Sequence, residues 1–98
     1  MTGPLNRNDL SRGQQTIRLR GNKPSNLLAV LPHAYTREQG LEVGQQVFIV
    51  LERGDRMRGY TGVLRHMPLG HVVSVPTDTA REWGLTNKSI VNIMVVKR

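Results

Sequence analysis

Apolar residues in this chain gather in short runs separated by glycine and proline. The two longest, Val47–Leu51 and Ile90–Val96, are β-branched and predict strands buried in a barrel. Shorter runs predict strands at Ile17–Arg20, Leu27–Leu31, Thr61–Arg65 and His71–Val75. Pro32 and Pro76 end two of these, because proline lacks the ladder N–H and suits a helix start. Short helices follow at Ala34–Gln39 and Asp78–Trp83, with Thr77 or Asp78 as a cap for the second. Both should stop at a glycine with positive φ, Gly40 and Gly84, with Leu41 and Leu85 folding back on the last turn.

The pattern recurs. Residues 16–53 shifted by 44 fall on residues 60–97, and eight pairs match, among them Pro32/Pro76, Gly40/Gly84, Leu41/Leu85 and Val47/Val91. Random pairing would give roughly two or three. The ungapped comparison sets Leu19 on Val63, and Arg18, Arg20 and Lys23 on Gly62, Leu64 and Met67; Arg65 and His66 then fall opposite Gly21 and Asn22. This predicts a mainly β fold with two short helices, a pseudo-twofold barrel of two ββαβ halves occupying residues 16–98. Residues 1–15 read as a flexible tail, weakly basic through Arg7 and Arg12. Arg53–Gly59 reads as a basic turn between the halves.

Charge and composition narrow the function. Fourteen Lys and Arg against seven Asp and Glu leave +7, which favours an anionic partner. The chain has no cysteine and no apolar run near the ~20 residues that span a bilayer. Its N-terminus is polar. The expectation is a soluble cytoplasmic protein without membrane contact. No nucleophile elbow, P-loop or dinucleotide fingerprint is present, so neither catalysis nor a cofactor is expected. His33, His66 and His71 have no carboxylate or cysteine nearby in sequence to complete a metal site, and none is expected. Four aromatics, Tyr35, Phe48, Tyr60 and Trp83, make a poor stacking platform for single strands.

The segment Val30-Leu-Pro-His-Ala-Tyr-Thr-Arg-Glu-Gln-Gly-Leu-Glu-Val-Gly44 resembles the strand–Pro–helix–Gly-Leu–turn unit of AbrB/MazE/SpoVT-type DNA-binding domains, and Val73–Leu85 resembles it again. Gly62–His66 looks like the family's basic first strand. The resemblance implies a swapped-hairpin barrel in tandem, or the related double-psi form of the same cradle-loop group. The family's Gly-Asp before the last strand is here Gly44-Gln45 and Lys88-Ser89. The resemblance implies a transcriptional regulator that contacts duplex DNA through basic strands and loops: Arg18, Arg20, Lys23, Arg53, Arg56, Arg58, Arg65 and His66. Arg37 and Arg81 are either helix residues facing DNA or surface partners of Glu38 and Glu82. A homodimer is compatible with this reading. The alternative is a barrel adaptor that binds a protein.

Overall fold

The computed structural model describes residues 13–98; Arg7, Arg12 and most of the expected tail lie outside them. Seven strands and two helices follow in order: β1 Gln14–Arg20, a 3-10 turn Pro24–Asn26, β2 Leu28–Leu31, α1 His33–Glu38, β3 Gln46–Arg53, β4 Arg56–Val63, β5 Arg65–Met67, β6 Gly70–Ser74, α2 Thr77–Glu82 and β7 Ile90–Lys97. The strands form one sheet, β4-β3-β7-β1-β2-β6-β5, with every pair antiparallel. Its two outer strands, β4 and β5, are separated in the chain only by Leu64, so the sheet curls back on itself. The fold is mainly β, barrel-like, with two short helices.

Alternation fills the interior. On β3, Val47, Ile49 and Leu51 are fully buried, as are Ile93 and Val95 on the neighbouring β7. Leu19, Ala29, Leu64 and Val73 complete the core from the other strands. Phe48 belongs to the same apolar run but faces outward and is exposed, so that run is not buried throughout.

Both helices close as expected. Gly40 and Gly84 have φ of 65° and 64°. The Leu41 N–H donates to Thr36 O and the Gly40 N–H to Arg37 O; Leu85 and Gly84 do the same with Ala80 and Arg81. This is the Schellman arrangement, with Leu41 and Leu85 buried beneath it. Pro76, rather than Thr77 or Asp78, holds the cap position of α2.

The pairing registers define a pseudo-twofold axis. Val50 pairs with Met94, its own counterpart 44 residues on, and Ala29 pairs with Val73 in the same relation. The axis therefore passes through both pairs, on opposite walls. The first strands depart from the ungapped offset. The backbone of Leu19 bonds to Lys88 N and Ser89 O, and that of Leu64 bonds to Gly44 N and Gln45 O. Leu19 thus corresponds to Leu64 rather than to Leu64's predecessor. Arg20, paired with Leu28, corresponds to Arg65, paired with Val72. The cause is one extra residue in the first loop: residues 21–27 separate Arg20 from Leu28, while residues 66–71 separate Arg65 from Val72.

Three other boundaries differ from expectation. The expected strand Thr61–Arg65 is divided at Leu64 between β4 and β5. Strand β1 begins at Gln14, because Gln14 and Gln15 pair with Met94 and Ile93. Arg53–Gly59 is no long turn: only Gly54 and Asp55 turn, with Gly54 at φ 63°, and Arg56–Gly59 continue as strand. Gly59 is a packing glycine, since a Cβ there would lie 2.8 Å from Cζ of Phe48.

Candidate nucleic-acid interface

Arg20 and Arg65 project from the same outward sheet surface. Along it, register sets Arg20 beside Leu28, Leu28 beside Ser74, and Arg65 beside Val72, two residues from Ser74. Three strand spacings separate the two arginines, about 15 Å. Both are exposed. Arg65 donates to Ser74 Oγ at 2.8 Å, which aims its guanidinium along the wall. Arg20 forms no side-chain hydrogen bond with another described residue. The same holds for Arg18, two residues back on the same face of β1, and for the side chain of Lys23 in the following loop.

That loop is rigidly built. Asn26 Oδ1 accepts the backbone N–H groups of Asn22 and Lys23 at 3.1 and 3.0 Å, and Gly21 N–H reaches Asn87 Oδ1 at 3.2 Å. Gly21 has φ 145°, and a Cβ would stand 2.5 Å from Asn26 O. Only glycine fits, and it fixes where Arg20 ends and Lys23 begins.

Two clefts flank the axis at equivalent places. The first, ≈ 490 Å³, is lined by Val30, Leu31, Pro32 and His33; the second, ≈ 580 Å³, by their counterparts Ser74, Val75, Pro76 and Thr77. The second also holds Arg65 and Tyr60, whose hydroxyl donates to Ser74 O at 2.7 Å and whose pKa burial raises. The first collects all three histidines. His71 stacks on His33 with ring centroids 6.0 Å apart and meets His66 edge-on at 5.4 Å. His66 therefore turns to the opposite face from Arg65, as alternation requires, and does not extend the arginine pair. Sequence spacing hid His33 from this cluster. Among the described residues, no group of three His, Cys, Asp or Glu is arranged to hold a metal ion.

The hairpin arginines stand elsewhere and are occupied. Arg53 and Arg56 donate to Trp83 O and Glu82 O, each at 3.1 Å, meeting carbonyls that the end of α2 leaves unpaired. Arg58 reaches the first turn of α2, donating to Thr79 Oγ1 at 2.8 Å and pairing with Asp78 at 3.3 Å. The Thr79 backbone N–H, then Arg58, hold the Asp78 carboxyl below the usual carboxylate range. Three arginines from one hairpin thus clasp α2. Arg37 and Arg81 are exposed in the last turns of α1 and α2, with no side-chain partner among the described residues; Arg81 directly precedes Glu82 and Trp83, whose carbonyls the clasp holds.

No protein-family model matches the chain, and no curated protein matches it. Among solved structures it is similar to PHS018 from Pyrococcus horikoshii. That solution structure shares 15% sequence identity at a TM-score of 0.59, over 87% of this chain and 89% of the other. The likeness is one of fold. No helix among the described residues is long and apolar enough to cross a membrane.

Proposed function

We propose that this protein binds duplex DNA through the outward surface of β1, β2, β6 and β5, acting in the cytoplasm as an AbrB-like transcriptional regulator. The observation that carries the reading is the pseudo-twofold pair Arg20 and Arg65, exposed on one wall and reinforced on one side by Arg18 and Lys23. A chain of net charge +7 is drawn to a polyanion, and two guanidinium groups about 15 Å apart can engage phosphates on two strands at once. Arg20 keeps all its donors free of described partners, so it can form bidentate bonds to a phosphate or a guanine edge.

The two halves of the face are related but unlike. Arg18 corresponds to Val63, and Lys23 lies in the longer loop. The contact surface is thus stronger on the first half, which suits an asymmetric site. The hairpin arginines are bonded to α2 and stand outside the proposed contact. The test is a fluorescence-polarisation titration of a labelled duplex with wild-type protein, Arg20→Glu and Arg65→Glu, after thermal melts show each variant folded. Loss of affinity in both supports the face. Unchanged affinity in both removes it and favours the adaptor reading.

A further inference from the structure

The three histidines of this chain come from distant positions and meet in one cleft of ≈ 490 Å³. His66 and His71 are direct partners across the β5–β6 ladder, with ring centroids 5.4 Å apart. His33, the first residue of α1, stacks on His71 at 6.0 Å. His33 and His66 are exposed and His71 is half-buried. The His33 carbonyl accepts from Thr36 Oγ1 at 2.9 Å, but no ring nitrogen of the three bonds to a described residue.

The surroundings supply no counter-charge. The rest of the lining, Val30, Leu31, Pro32, Leu69 and Gly70, carries no ionisable group. Of the elements that build the cleft, β2, α1, β5 and β6, only α1 holds a carboxylate, Glu38, and it pairs with no histidine. Two cations stand on the same elements. Arg37 lies one turn along α1 from His33, and Arg65 precedes His66 on the opposite face of β5. The cleft is therefore bordered by apolar and cationic groups.

Histidine is the side chain that changes charge between pH 5 and 8. A neutral ring offers one N–H donor; a protonated ring offers two and a full charge. Acid thus turns this polar patch into a group of cations that repel one another, and an anion among them relieves the repulsion. The spacing favours an oxyanion over a metal ion. A metal would need ring nitrogens drawn to about 2.1 Å from one point, and the rings are not so arranged. An oxyanion is reached by charge-assisted bonds of about 2.8 Å to each of several oxygens, which suits rings standing further apart. Phosphate has oxygens on all sides and can accept from three rings at once, whereas a carboxylate has two. We infer that the histidine cleft is a phosphate site that opens as pH falls below neutrality. The phosphate can be a free one or that of a duplex backbone. Val30 lines the cleft and also stands on the proposed DNA wall, in the row of Val72 and Arg65, so a duplex on that wall lies at the mouth of the cleft. The duplex source rests on the DNA reading; the site does not.

The test follows imidazole C–H resonances of the full chain by NMR during titration with inorganic phosphate, at pH 5.5 and at pH 8. At pH 5.5 the three histidines are expected to shift together and saturate, and at pH 8 the affinity should be at least tenfold weaker. Phosphate carries more charge at pH 8, so weaker binding there reports on the protein. His33→Gln and His66→Gln, both at exposed positions, should each weaken binding severalfold at pH 5.5. His66→Lys keeps a fixed cation and should bind at pH 8 more tightly than the wild type. Thermal melts at both pH values accompany each variant. Shifts that do not saturate at pH 5.5 overturn the inference. So does equal affinity at the two pH values, or a His66→Lys variant no tighter than the wild type at pH 8. Polarisation with a labelled duplex at the same pH values separates the sources. A gain at pH 5.5 that His33→Gln with His66→Gln removes assigns the site to backbone phosphates. Level duplex affinity with phosphate binding intact assigns it to free phosphate. A duplex that binds at neither pH, while phosphate saturates, overturns the DNA reading and leaves the site standing.

Discussion

The β3–β4 hairpin and the end of β1 carry three cations each and use them in opposite ways. Arg53, Arg56 and Arg58 are spent on helix α2, on its terminal carbonyls and on Asp78 and Thr79. Arg18, Arg20 and Lys23 hold no described partner with their side chains and sit on a strand and loop fixed by other means. The difference teaches that a count of cations does not locate a polyanion site. What locates it is a cation whose geometry is set by its backbone and whose donors are left over.

Breaking the backbone that presents Arg20 should have the largest effect. Gly21→Ala would force a side chain into a positive-φ position and against Asn26 O, and should cost about 2–3 kcal/mol in a denaturation titration. The matching change at open Gly54, also at positive φ but with nothing within 4 Å of its Cβ, should cost only about 1 kcal/mol. Emptying the clasp comes next. Arg53→Ala or Arg56→Ala should each lower stability by about 0.5–1 kcal/mol, read in urea melts, and leave the salt dependence of DNA affinity nearly unchanged.

Acid and alkali probe the tethers themselves. Asp78 has a lowered pKa in the fold, so its contribution is present above the ordinary carboxylate pKa and is lost as pH falls through the folded value. Arg58→Ala should flatten that acid loss. Tyr35 and Tyr60 are shifted the other way, by burial, so their contribution is intact below about pH 10 and stability should decline above it. A melting temperature that stays level from pH 8 to 11 would contradict this. The smallest effect is a gain. Lys88 holds φ 74° where its counterpart is Gly44, so Lys88→Gly should stabilise by about 0.5–1 kcal/mol in the same melts.

Much of this was legible in the residues. Proline after a strand and Gly-Leu after a helix are local rules, and both helices and both caps lie within a residue of where those rules put them. Relations between distant segments were not legible. One added residue in the first loop slid Arg20 off Arg65 in any ungapped comparison, and only the strand register restores the pair. Gly59 reads as a turn residue until Phe48 is seen over it. The bonds of the hairpin arginines reach residues 20 to 30 positions away in sequence, beyond any pattern of spacing. The outward Phe48 could have been found, because alternation with Val47 and Ile49 points it to solvent.

The central claim, that leftover cations on the β1 wall form the DNA contact and clasped ones do not, reduces to one measurement. Duplex affinity is followed by polarisation across a salt series for the wild type, for Arg20→Gln with Arg65→Gln, and for Arg53→Gln with Arg56→Gln. Each neutralised phosphate contributes about 0.9 to the slope of log affinity against log salt. The account predicts a slope shallower by nearly 2 for the first pair and close to wild type for the second. A slope that falls with the hairpin pair and stays unchanged with Arg20 and Arg65 would contradict it.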